Sequence, residues 1–117
     1  MKLLSLALIA VVALEHLGFL ALEMFLWDHP IGRRIFRLPS VISSATRGLA
    51  ANMGLYNGFL AAGLVWALAS DRFDLKVFFL ACVIVAGVFG AATVSRRILF
   101  VQAVPAALAL LITILAA

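Results

Sequence analysis

Glu15, His16 and Glu23 stand inside LEHLGFLALEMFLW, an apolar run over positions 14–27 that otherwise has the makings of a membrane span. A carboxylate near the centre of a membrane helix costs about 2.5–3.5 kcal/mol even on the mild insertion scale. Such groups therefore turn toward a bundle interior or a wet cavity and mark function. His16 and Glu23 are seven residues apart and share a helix face. A buried carboxyl beside an imidazole suits proton exchange, Glu15 giving and taking the proton and His16 relaying it or orienting the carboxylate.

Metal ligation fits the spacing poorly. His16 and Glu23 lie about 10.5 Å apart along a helix axis, whereas one zinc ion would need both at bonds of about 2.0–2.2 Å. Adjacent Glu15 and His16 diverge by about 100°, and no cysteine cluster or His-x-x-x-His step accompanies them. No metal and no cofactor are expected. Phosphate loops and nucleophile motifs are likewise missing from the sequence.

A second polar set falls on other apolar runs: Asn52, Tyr56 and Asn57, then Gln102. With Trp27, Arg47 and Arg97 as markers of one membrane face, helical rise puts Glu23, Asn52 and Gln102 roughly 6–8 Å deep. Glu15, His16, Tyr56 and Asn57 then lie at roughly 14–18 Å. These residues read as two tiers of a polar pocket reaching to about the midplane, and the opposite half of the membrane carries no comparable tier. The plainer reading of Asn52, Asn57 and Gln102 is interhelical hydrogen bonding. For Glu23 it is a salt bridge to Arg47 or another basic residue near the interface. Gly54 and Gly58 form a GxxxG step that allows a neighbouring backbone to approach closely.

Positioning these residues requires membrane helices. The chain of 117 residues is 67% hydrophobic and 12% charged, with mean hydropathy +1.24, far from the roughly 45–50% and 25% of soluble domains. Four apolar segments, 3–27, 48–69, 75–95 and 98–117, each approach or exceed the roughly 20 residues that cross hydrocarbon. Continuous runs of this kind exclude barrel strands. The expected fold is all-α, an integral membrane four-helix bundle forming a single domain over 1–117. The opening run imitates a signal peptide but continues past Glu15 and Glu23 without a convincing cleavage site, so it reads as a retained span. Loop 1, over 28–47, holds IGRRIFRL, whose alternation of apolar and basic residues predicts a short interfacial helix. Pro39 and Ser40 then read as a further helix start.

The net charge of +4 does not point to nucleic acid, because the basic residues lie at or beyond the ends of the apolar runs instead of along one stripe. Loops 1 and 3 carry six of them, Arg33, Arg34, Arg37, Arg47, Arg96 and Arg97, against three on the other side, Lys2, Arg72 and Lys76. The positive-inside rule then places loops 1 and 3 in the cytoplasm and both termini outside. The lone Cys82 lies mid-run and permits no disulfide within the chain.

ALEHLGFLALEMFLW, then P-x-G-R-x-x-F, then LAANMGLYNGFLAAGLVW closely resemble the bacterial family called domain of unknown function 1304, and the likeness covers essentially the whole chain. Its motifs fall on Glu15, His16, Glu23, Met24, Phe25, Asn52, Gly54, Tyr56, Asn57 and Gly58. The resemblance implies a small integral protein of the bacterial inner membrane and no particular activity. Small multidrug transporters share the layout of four helices and a glutamate in the first, but lack the extra histidine, second glutamate and long basic loop.

The function expected from these residues is binding of a small or lipid-like ligand in a cytoplasm-facing polar pocket, with proton-transfer or isomerase chemistry if a reaction occurs. A proton-coupled transporter of dimeric four-helix type is the alternative, and a purely structural membrane adaptor the third. Expected partners are membrane lipid, that ligand and, in the dimeric reading, a second copy of the chain.

Overall fold

The computed structural model describes residues 1–117. Its helices are α1 (Lys2–Met24), α2 (Pro30–Phe36), α3 (Ser40–Ala45), α4 (Arg47–Ser70), α5 (Phe73–Thr93) and α6 (Val104–Ala116), the last preceded by a π-helical turn over Leu99–Ala103. No strand is present. Four stretches are long and apolar enough to cross a membrane: Lys2–Met24, Arg47–Ser70, Phe73–Thr93 and Leu99–Ala116. They fall on the four apolar runs of the sequence, each end displaced by three residues or fewer. The chain resolves into two compact units, one of Met1–Leu14 with Leu60–Ala117 and one of Glu15–Phe59.

The first unit is a bundle of the opening half of α1, the closing half of α4, and α5 and α6. Its core joins Ile9, Val12 and Ala13 of α1 to Leu64 of α4, Leu80 and Val83 of α5, and Ala106 and Ala109 of α6. Lipid tails are as apolar as these side chains, so association rests on close packing, which small residues permit. Gly87 shows how close. A Cβ there would stand 2.8 Å from the backbone nitrogen of Ala103, and one on Gly63 would stand 2.3 Å from the Phe79 ring. Pro105 explains the π-helical turn. It has no N–H to give the Val101 carbonyl and its ring crowds that group, so the turn before it widens.

This unit nevertheless buries a polar pair that the sequence reading did not single out. Ser5 and Thr113 are buried, their hydroxyls 2.7 Å apart. Thr113 gives its proton to the Ala109 carbonyl at 2.7 Å, so Ser5 is the donor between them. Such serines and threonines escape a search for acids and amides because helices accept them almost silently. Beyond them Asp71, left-handed at φ 50°, accepts from Lys2 at 2.7 Å and Lys76 at 2.6 Å. The two lysines hold its carboxyl down to about 2, below its ordinary value. Lys76, counted in the sequence as a flanking charge, is buried in the first turn of α5.

The second unit is a helical hairpin, the closing half of α1 and the opening half of α4, with loop 1 folded on itself between them. The GxxxG step works as its spacing implies. A Cβ on Gly54 would lie 2.6 Å from Met24 Cγ and 3.1 Å from Glu23 Cβ, and one on Gly58 would lie 2.6 Å from Leu20 Cδ1. Loop 1 contains a short helix where one was expected, α2, with Pro30 in its first turn and His29 as N-cap. Pro39 caps α3, which ends at Thr46 before α4 begins. The predicted end of α1 at Trp27 is corrected to Met24. Past that end the chain folds back so closely that Gly32 lies against the Leu26 carbonyl, leaving no room for a Cβ.

Candidate functional site

Register decides which of the chemically capable residues meet. α1 and α4 run in opposite directions, and Leu20, Glu23 and Met24 lie against Gly54 and Gly58. In that register the Asn57 carboxamide donates to Glu23 Oε1. Glu23 is 5% exposed, so its carboxyl is answered by an interhelical hydrogen bond and not by an arginine. Two expectations are corrected here. Glu23 pairs with Asn57 instead of Asn52, and Asn57 therefore does not share a tier with Glu15 and His16. Asn52 lies about 7.5 Å nearer the loop 1 end of α4 than Asn57. The cause is the early end of α1: with Trp27 outside the helix, depths counted from Trp27 and Arg47 slide past each other.

Glu15 and His16 lie about 10–12 Å along α1 from Glu23, away from the level of Tyr56. His16 is wholly buried, its ring edge-on to Phe19 at a centroid distance of 5.1 Å. Glu15 is half-buried, and its Oε1 is buried without a hydrogen-bond partner. Asn52 is exposed, and so is Tyr56, 60% accessible with its ring edge-on to Phe59. The face shared by Asn52 and Tyr56 thus points outward from the hairpin, so the expectation that it lines an interior pocket is corrected. The small glycines of α4, not its polar residues, occupy the contact with α1. Gln102 belongs to the other unit, half-buried within the π-helical turn. No group of three or more His, Cys, Asp or Glu side chains is gathered as a metal would need.

The loop 1 end of the hairpin is more organised than its sequence foretells. Ser43, wholly buried, donates to Asp28 at 2.6 Å, and Arg33 stands 3.5 Å from the same carboxylate. Trp27 Nε1 donates to Thr46 Oγ1 at 3.0 Å, and its ring lies 4.7 Å from that of Phe36. His29, exposed, accepts the Ile31 backbone N–H on Nδ1 at 3.2 Å. A cavity of about 380 Å³ opens here, lined by Met24, Phe25, Trp27, Asp28, His29 and Arg47. The signal that could have found it is the cluster of aromatic, histidine and acid immediately before Pro30.

The uncharacterized protein YpaA of Lactococcus lactis subsp. lactis (strain IL1403) is 29% identical over 115 residues, 95% of this chain and 97% of its own length. No solved structure matches the chain. A profile of the family described as protein of unknown function (DUF1304) matches residues 10–114. That match takes in α1 from Ala10 on, all of α2 to α5 and most of α6, and the chain belongs to this family.

Proposed function

We propose that this membrane protein binds a small or lipid-like ligand carrying a hydrogen-bonding group, and that Glu15 exchanges a proton with it. The observation that carries the reading is the Glu15 Oε1 atom, buried without a partner in an apolar helix while Glu23 is satisfied by Asn57. A buried unmet oxygen costs about 1–3 kcal/mol, and intramembrane carboxyls retained at such cost mark ligand or proton pathways. His16, adjacent and buried, orients or relays, while Asn57 is engaged by Glu23 at a different level of α1. Asn52 and Tyr56, outward-facing on α4 and away from the level of Glu15, are not part of this site.

If chemistry follows binding, proton transfer or isomerisation of a membrane-soluble substrate fits this donor set best. The positive-inside count puts loops 1 and 3 in the cytoplasm of a bacterial inner membrane. Alternating transport is less well supported, since the Ile9, Val12, Leu64, Leu80 and Val83 side chains leave no exposed surface in the core of the other unit.

Dicyclohexylcarbodiimide, which adds to protonated carboxyls in apolar surroundings, tests the reading together with native mass spectrometry of protein extracted with its lipids. Glu15 is expected to take the label while Glu23 is spared, and folded Glu15→Gln is expected to lose a small-molecule adduct that the wild type retains. Identical adducts on both proteins would overturn the proposal.

A further inference from the structure

The cavity at the loop 1 end of the hairpin has the chemistry of a second, separate site. Three of its features point the same way. Arg47, at the first residue of α4, lines the cavity and has no carboxylate partner in the fold. Its one acidic neighbour in the lining, Asp28, is already occupied by the Ser43 hydroxyl and by Arg33. The charge left unanswered at the cavity is therefore positive.

His29 adds a donor. Its Nδ1 accepts the Ile31 N–H, so the neutral imidazole carries its proton on Nε2. A guanidinium fork and an imidazole N–H together form a donor set for a phosphate group, which a guanidinium meets with two parallel bonds. The remaining wall is apolar. Met24 and Phe25 line it, Phe25 being 73% exposed, and Trp27 closes it with an indole whose N–H is already given to Thr46. Trp at such a boundary is typical of the headgroup level of a bilayer. A volume of about 380 Å³ suits a headgroup and the start of a chain.

We propose that this cavity binds a phosphate group, presented by an anionic phospholipid, with Arg47 and His29 on the phosphate and Met24 and Phe25 against the chain. The positive-inside count sets this end at the cytoplasmic leaflet, where anionic lipids supply the negative surface potential. The site stands independently of Glu15, which does not line it.

Trp27 provides the readout. In a Trp66→Phe background, which leaves Trp27 as the sole tryptophan, the protein in zwitterionic nanodiscs is titrated with phosphatidylglycerol and, separately, with inorganic phosphate. A saturable change in Trp27 emission is expected with phosphatidylglycerol. Arg47→Gln should weaken it roughly tenfold, the loss of one charge-assisted contact, and Arg47→Lys less. Arg34→Gln, an exposed arginine outside the lining, should leave it unchanged. Saturation by inorganic phosphate with the same Arg47 dependence keeps the phosphate site and makes its occupant a free anion. Equal losses in Arg34→Gln and Arg47→Gln, or no saturation with either probe, would overturn the proposal. Helical circular dichroism of each variant separates lost binding from lost fold, and His29→Ala tests the same site without touching α4.

Discussion

Asn57 of α4 donates its carboxamide to the Glu23 carboxylate of α1, and this bond sits directly over the Gly54 contact that brings the two helices together. Polar bond and close approach depend on each other. Glycine lets α4 come near enough for Asn57 to reach, and Asn57 removes the cost of bringing Glu23 along.

Breaking that bond from one side should therefore be worse than deleting it. Asn57→Leu leaves a buried carboxyl unmet and is expected to lower stability by about 1–3 kcal/mol. Glu23→Gln keeps an acceptor and should change little. The double variant Glu23→Leu with Asn57→Leu should regain most of the loss. Unfolding of the purified protein in mixed detergent micelles measures the cycle.

The glycines should rank by what their missing Cβ would meet. Gly87→Ala drives a methyl into the backbone of Ala103 at 2.8 Å, and overpacking of this kind costs about 1–3 kcal/mol. Gly58→Ala meets only the movable end of Leu20, and Gly18→Ala meets nothing within 4 Å. Thermal denaturation in detergent should order them Gly87 below Gly58 below Gly18. A Gly18→Ala variant as damaged as Gly87→Ala would contradict the packing.

Asp71 predicts an acid limb. Its carboxyl is held at about 2 in the fold against 3.8 ordinarily. A depressed value contributes stability that is present above the unfolded value and lost as pH falls from about 4 toward 2. Asp71→Asn should flatten that limb and leave the buried Lys76 ammonium without its acidic partner. Stability measured against pH for both proteins should show the difference in that window alone.

Thr113→Val removes the acceptor of Ser5 while keeping the shape of the side chain. A loss of about 0.5–2 kcal/mol is expected, the range for hydrogen bonds between membrane helices. Thr113→Ser, which keeps the hydroxyl, should stay close to wild type in the same unfolding assay.

Spans and links were open to reading because hydropathy and helical rise leave few choices in a bilayer. The short helix at Pro30, the start at Ser40 and the Gly54–Gly58 step followed from local rules of the same kind. Register was not open to such reading. Whether Glu23 meets Asn52 or Asn57 depends on which residues of α1 lie against Gly54 and Gly58, a contact made across the whole of loop 1. Orientation of the Asn52 and Tyr56 face was equally hidden, since both faces of α4 are apolar enough to be buried. Ser5 with Thr113, and Ser43 with Asp28, join residues 108 and 15 apart whose types alone announce nothing. The π-helical turn did have a sign, Pro105, but a proline within a span can equally produce a kink.

The centre of the first unit holds Ala13, Ala61, Ala67, Ala103, Ala106 and Ala109, each 4% exposed or less. In a water-soluble protein, carving atoms out of the interior is the damaging direction of change. Here the alanines are as open to damage from the opposite change: a single added ethyl group at one of them wedges two helices apart. A saturation scan of these six positions should show tolerance falling with side-chain size.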